Sequence, residues 1–210
     1  MAILIKICGL STPESIEAAV QAGASHLGLV HFKPSPRHVS LDVAAELRAR
    51  VPPAIKVVLL TVNQTPEETA AAIQKVRPDV IQFHGRETPE WTGLVRDKAQ
   101  IEVWKALGLK DKGTLQRSRA YLGKVDRLLF DSPAQVLPGG NGTPFNWSIL
   151  SHYKHQIKWG IAGGLNSENV AEAIRTTKSP MVDASSGVER SLGVKDVDLI
   201  KAFCEAAQQA

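Results

Sequence analysis

Two side chains in this 210-residue chain are suited to passing a proton between them and a small molecule, the thiol of Cys8 and the carboxyl of Asp131. Each closes a short apolar run, Ile3-Leu4-Ile5-Lys6-Ile7-Cys8 and Arg127-Leu128-Leu129-Phe130-Asp131. Runs this short and rich in branched residues form strands, so both groups sit at a strand's C-terminal lip. A thiol titrates near pH ~8.5 and a neighbouring cation lowers that value. Lys6 shares the strand face of Cys8, roughly 6 to 7 Å away, and is expected to favour the thiolate. Asp131 has the opposite need: burial, or an anionic substrate beside it, raises its pKa so that it can donate. One acceptor and one donor across a small substrate are what a proton-shifting isomerisation requires. The plain alternative, an inert buried cysteine with a snorkelling lysine, is not excluded by the first strand alone.

Further polar groups collect at the same kind of position. Gln82 and His84 end the run Val80-Ile81-Gln82-Phe83-His84, and Arg37 lies in the proline-stiffened loop Phe32-Lys33-Pro34-Ser35-Pro36-Arg37-His38. Gln82 and His84 are equally readable as packed rim residues. Two small-residue turns, Ala162-Gly163-Gly164-Leu165-Asn166 and Asp183-Ala184-Ser185-Ser186-Gly187-Val188, leave backbone N–H groups open. Adjacent turns of this kind can seat a phosphate, although each glycine could merely supply a left-handed conformation. Lys6 and Asp183 each stand two residues before a site residue, and an ion pair between them is expected inside the barrel.

The elements that must hold these groups alternate along the chain. Strands are predicted at 3–8, 26–31, 55–62, 80–84, 101–107, 127–131, 157–162 and 180–184. Helices are predicted from Thr12-Pro13 to Gly23, at 41–50, 66–75, 87–98, 110–122, 145–153, 166–176 and 197–207. Strict alternation implies a parallel sheet with right-handed crossovers, and eight repeats in about 200 residues fit a closed (β/α)8 TIM barrel. An open doubly wound sheet is the alternative; the absence of Gly-x-Gly-x-x-Gly after the first strand speaks against a dinucleotide site. In a barrel, active groups belong at the C-terminal ends of the strands. Cys8, Arg37, Gln82, His84 and Asp131 obey that rule. The four tryptophans are read as helix-to-barrel packing.

Composition narrows the class. The hydrophobic content of 43% supports one domain over 1–210, and no apolar run approaches the roughly 20 residues of a membrane helix. The net charge of +4 and pI near 9.1 come from scattered Lys and Arg with only 5% aromatics. That pattern favours anionic small molecules over nucleic acid. Two cysteines far apart in sequence make no disulfide framework, and with no leader segment the expected location is the cytoplasm.

Taken together, Lys6-Ile7-Cys8-Gly9, Pro34-Ser35-Pro36-Arg37, Gln82-Phe83-His84-Gly85, Leu128-Leu129-Phe130-Asp131, Gly139-Gly140-Asn141-Gly142, Gly163-Gly164-Leu165-Asn166 and Val182-Asp183-Ala184-Ser185-Ser186-Gly187-Val188-Glu189 resemble the phosphoribosylanthranilate isomerase family of tryptophan biosynthesis. The resemblance implies an Amadori rearrangement of a phosphoribosyl-anthranilate, with Asp131 as general acid and Cys8 as base. It implies Arg37 on the anthranilate carboxylate, amides around Gly163, Gly164, Ser185, Ser186 and Gly187 on the phosphate, and a closing loop around Gly140 and Gly142. No metal or organic cofactor is implied. The implied partner is a small phosphorylated substrate, with neither nucleic acid nor membrane, and a weak association with other pathway enzymes stays open. Asn146, Ala162 and His31 depart from the family's usual Asp, Ser and Phe. A sister barrel acting on a phosphoribosyl aminoimidazole would carry aspartate in place of Cys8, and a non-catalytic phosphate-binding barrel is the other rival.

Overall fold

The computed structural model describes residues 2–132, 147–151 and 153–210. In chain order the elements are β1 (Leu4–Cys8), α1 (Pro13–Gln21), β2 (His26–His31), α2 (Leu41–Arg48), β3 (Lys56–Thr61), α3 (Pro66–Val76), β4 (Val80–Phe83), α4 (Pro89–Ala99), β5 (Glu102–Gly108), α5 (Lys112–Ser118), β6 (Arg127–Asp131), α6 (Ser148–Ser151), β7 (Lys158–Ile161), α7 (Val170–Thr177), β8 (Met181–Ala184), β9 (Glu189–Ser191), β10 (Val194–Lys195) and α8 (Val197–Gln208).

Helix starts are written locally. Thr12, Ser40, Thr65, Thr88 and Asp111 each accept the amide three residues on, and Asp196 accepts from Asp198 and Leu199. Such a side-chain cap stabilises a helix by about 1 kcal/mol. Proline at the start of α1, α3 and α4 costs no hydrogen bond because the first-turn amides have no partner within the helix.

Strands β1 to β8 close into a parallel barrel in sequence order. Closure is made by β1 against β8, where Lys6 stands opposite Asp183, and Lys6 also stands opposite His26 of β2. Outward residues such as Ile5, Ile7, Leu27, Leu59, Phe83 and Phe130 pack under the helices. Inward, Val58, Val80, Trp104, Ala106, Leu129 and Met181 form a separate plug. Trp104 is therefore inside the barrel, against its reading as helix packing: it alternates with outward Val103 and Lys105, and Trp91, Trp147 and Trp159 do pack on the outer layer. Beneath the plug, the Arg127 guanidinium lies 5.2 Å from the Trp104 ring and His26 lies 5.1 Å from it.

Several boundaries differ from the sequence reading. Glu87 precedes α4 instead of opening it, because Thr88 caps the helix and Pro89 starts it. The segment read as one helix over 110–122 is α5 followed by a 3-10 turn, Arg119–Tyr121. Helix α7 begins at Val170, since Asn166 and Asn169 hydrogen-bond each other's amides and hold an extra turn before it. After β8, a hairpin of β9 and β10 interrupts the alternation. Among the described residues no helix is long and apolar enough to cross a membrane.

Candidate active site

A cleft opens at the C-terminal end of the barrel. Cys8, Arg37, Gln82, His84, Asp131, Gly163, Gly164, Ser185 and Ser186 all line it, so the structure brings together nine of the predicted site residues. Val30, Phe32, Leu60 and Val62 form an apolar wall beside Cys8.

Cys8 is buried, and Gly28 on β2 makes room for it: a Cβ at Gly28 would fall 2.9 Å from the Cys8 sulfur. One residue pair below, Lys6 Nζ donates to Asp183 Oδ2 at 2.7 Å. This is the ion pair expected from the two strand positions. Burial opposes the charge on Lys6, yet Asp183 and Cys8 beside it hold the ammonium above its ordinary pKa. The expected lowering of Cys8 does not win: burial pushes its thiol up, and the Lys6 charge offsets that only in part. Asp183 also lines the cleft, and its Oδ1 is buried with no hydrogen-bond partner among the described residues.

Across the mouth, Asp131 ends β6 and is buried. Its Oδ1 accepts the Ser132 amide at 2.7 Å, and its Oδ2 lies 3.3 Å from His84 Nε2. Close by, Gly163 has a φ of +87°, and a Cβ there would meet the Ser132 nitrogen at 2.3 Å. Only glycine lets the turn after β7 approach the carboxylate so closely. Gln82 turns inward from β4, and its Oε1 is a second buried acceptor without a partner among the described residues.

Arg37 is held by a residue the sequence reading quoted but gave no role. Its Nε and Nη2 donate to Oε1 and Oε2 of Glu189 at 2.6 and 2.8 Å, with both side chains nearly buried. Lys195 of β10, also unnoticed, donates to Glu189 Oε1 at 2.6 Å and to the Ser185 carbonyl at 2.9 Å. Burial raises Glu189, but Arg37 and Lys195 outweigh it and hold the carboxyl below its ordinary range. A buried acid flanked by buried cations is a signal of function. It was obscured because the hairpin carrying these residues falls outside the strand-helix alternation.

The two glycine turns lie side by side at the cleft. Gly163 and Gly164 both have positive φ, and Ser185 Oγ donates to the Cys8 carbonyl at 3.1 Å. Gly187 sits behind this wall, in the 3-10 turn Ser186–Val188, where a Cβ would fall 1.9 Å from the Leu165 carbonyl oxygen. Gly140, Gly142 and Asn146 lie outside the described residues. Ala162 lines the cleft without a hydroxyl to offer, and His31 instead bonds through Nδ1 to the Val39 carbonyl at 2.9 Å.

Comparison with known proteins reaches the same architecture. The family model of N-(5'-phosphoribosyl)anthranilate (PRA) isomerase matches residues 5–206. The N-(5'-phosphoribosyl)anthranilate isomerase of Erythrobacter litoralis is 65% identical over 207 residues, covering 99% of each chain. That of Parvibaculum lavamentivorans is 43% identical over 215 residues, covering all of both. Among solved structures, phosphoribosyl anthranilate isomerase from Thermotoga maritima is 31% identical, with a TM-score of 0.90 over 99% of this chain and 100% of that one. A phosphoribosyl anthranilate isomerase in complex with reduced 1-(o-carboxyphenylamino)-1-deoxyribulose 5-phosphate is 30% identical, with a TM-score of 0.87 over the same shares. With the barrel, the cleft and end-to-end likeness in agreement, the chain belongs to the N-(5'-phosphoribosyl)anthranilate isomerase family.

Proposed function

We propose that the cleft converts N-(5-phosphoribosyl)anthranilate to 1-(2-carboxyphenylamino)-1-deoxyribulose 5-phosphate, the isomerase step of tryptophan biosynthesis, with Asp131 as general acid and Cys8 as general base. Asp131 gives its proton to the furanose ring oxygen. The bond from that oxygen to C1 breaks as the anthranilate nitrogen lone pair forms a Schiff base. The Cys8 thiolate then removes the C2 proton, and the electrons of that C–H bond become the C1–C2 double bond of an enol-amine. Tautomerisation of the enol-amine gives the ketone, and net transfer of one proton through solvent from the Cys8 thiol to the Asp131 carboxylate resets both groups.

The observation that carries this reading is that Cys8 and Asp131 are both buried walls of one cleft, at the ends of β1 and β6. The wall of Val30, Phe32, Leu60 and Val62 suits the anthranilate ring. Arg37 takes the ring carboxylate with the donors that Glu189 leaves over, Nη1 and the second hydrogen of Nη2. Gly163, Gly164, Ser185 and Ser186, with Gly187 behind them, take the phosphate. Gln82 and His84 contact the sugar, Gln82 through its open acceptor and His84 beside Asp131. No cofactor enters these steps. As one domain over 1–210 with two free cysteines, the protein works in the reducing cytoplasm, and its partner is the small phosphorylated substrate.

The test is the fluorescence of the anthranilate-bearing substrate, which conversion abolishes. The wild type is expected to quench it, and Cys8→Ala and Asp131→Asn each to lower kcat by about 10² to 10⁴. Both variants at the wild-type rate would overturn the assignment.

A further inference from the structure

We infer that Glu87 and Lys105, a buried ion pair outside the cleft, are positioning residues that fix the imidazole of His84 against Asp131. The inference rests on the isomerase reading above. Lys105 points outward from β5, away from the barrel interior occupied by its neighbours Trp104 and Ala106. Its Nζ lies 3.0 Å from Glu87 Oε2, with the two side chains only 2% and 3% exposed. Neither residue lines the cleft.

What the pair holds is the backbone on both sides of His84. Lys105 Nζ donates to the Phe83 carbonyl at 3.4 Å and to the Gly85 carbonyl at 2.8 Å. Glu87 Oε2 accepts the Gly85 amide at 2.8 Å. Each peptide flanking His84 is thus tied to one member of the pair, while the His84 amide itself donates to the Thr61 carbonyl at 3.0 Å. The other Glu87 oxygen accepts the Asn63 amide at 2.7 Å, which anchors the loop after β3 to the same point. With φ and ψ of His84 constrained from both sides, the ring is delivered to within 3.3 Å of Asp131 Oδ2.

Stability alone does not call for such a pair. Removing two charges from water costs much of what their attraction returns, and apolar replacements of similar volume are often neutral or better. Fixed geometry is what the ions supply and an apolar pair would not. Each backbone group they bind would also be left without its partner in that layer.

The experiment combines E87Q and K105M with H84A, measured in the full chain by substrate fluorescence. In the wild-type background each substitution is expected to lower kcat about tenfold with KM changed less than twofold, since small misplacements of catalytic groups cost rate steeply. In the H84A background the same substitutions are expected to change kcat less than twofold. Equal losses in both backgrounds, or no loss in the wild-type background, would overturn the inference. If K105M does not fold, E87Q, nearly the same shape as the native residue, decides the question. Nitrogen NMR of the His84 ring reads the clamp without turnover: its signals are expected to move in E87Q, and unmoved signals would refute the clamp. A wild type that fails to convert the substrate would instead refute the assigned reaction.

Discussion

Arg37 and Glu189 meet fork to fork, at 2.6 and 2.8 Å, although 152 positions separate them in sequence. Lys195 shares the same carboxylate, so one acid faces two cations and a surplus positive charge remains beside the glycine turns. Replacing Glu189 by Gln removes the charge and one acceptor, and leaves both cations without their counter-ion. Breaking a buried ion pair from one side costs about 3 kcal/mol or more. Glu189→Gln is therefore expected to lower urea stability by about that amount. Its KM is expected to rise about tenfold as Arg37 loses its single geometry, the cost of about one charge-assisted hydrogen bond. Steady-state kinetics and urea unfolding check both; an unchanged KM would show that Arg37 binds without its partner.

The environment of Cys8 sets a pH dependence with a definite sign. The base works as thiolate, and burial raises the thiol while Lys6 pulls it partly back. kcat/KM is expected to climb with pH and to level off above the ordinary thiol range. Lys6→Met removes the cation, so its profile should shift further to alkaline pH and its rate at neutrality should fall. The same change strands Asp183, at a cost of roughly 3 to 5 kcal/mol, whereas Lys6→Met with Asp183→Asn leaves no buried charge and should recover part of it. A Lys6→Met profile superimposing on the wild type would show that Lys6 does not act on the sulfur.

The barrel was legible because burial leaves a period in sequence: apolar runs alternating with helices recur eight times, six of the helices with a side-chain cap. The Lys6–Asp183 pair was legible too, because neighbouring strands in a closed barrel fix which positions face each other. Glu189, Lys195 and Lys105 were not. Glu189 and Lys195 lie on a short hairpin that breaks the repeat, and Lys105 looks like any charged residue on a strand until its neighbours in space are known. The net direction for Cys8 was missed for a related reason. Charge spacing is visible in sequence, but the depth of burial that opposes it is a property of the folded chain.

Gly28 is the contact that gives Cys8 its place. A Cβ there would stand 2.9 Å from the sulfur and 3.0 Å from the Cys8 Cα, closer than atoms tolerate. Gly28→Ala should keep the barrel, at a cost of about 1 to 3 kcal/mol for overpacking. The thiol must then shift, and kcat is expected to fall about tenfold or more with KM little changed. Circular dichroism and steady-state kinetics separate the two effects. A Gly28→Ala enzyme at full rate would mean that the sulfur need not sit where β2 leaves room for it.

His26, at the opposite end of the barrel, ties stability to acid. Burial, followed by the charges of Arg127, Lys56 and Lys6, lowers its pKa to about 3, and Ser25 Oγ holds its Nδ1 at 2.8 Å. The unfolded chain takes up a proton near pH ~6.5 while the folded chain resists until far lower. The unfolded state therefore binds more protons below pH ~6.5, and stability falls with pH from there down to the folded value, where it levels off. By pH 5 the loss from this one ring is about 2 kcal/mol. His26→Gln cannot titrate and should lose that much less between pH 7 and pH 5 in urea unfolding. Other groups titrate equally in both proteins, so the difference in slope isolates His26, and identical slopes would mean that its ring takes up a proton as readily in the folded barrel as in the unfolded chain.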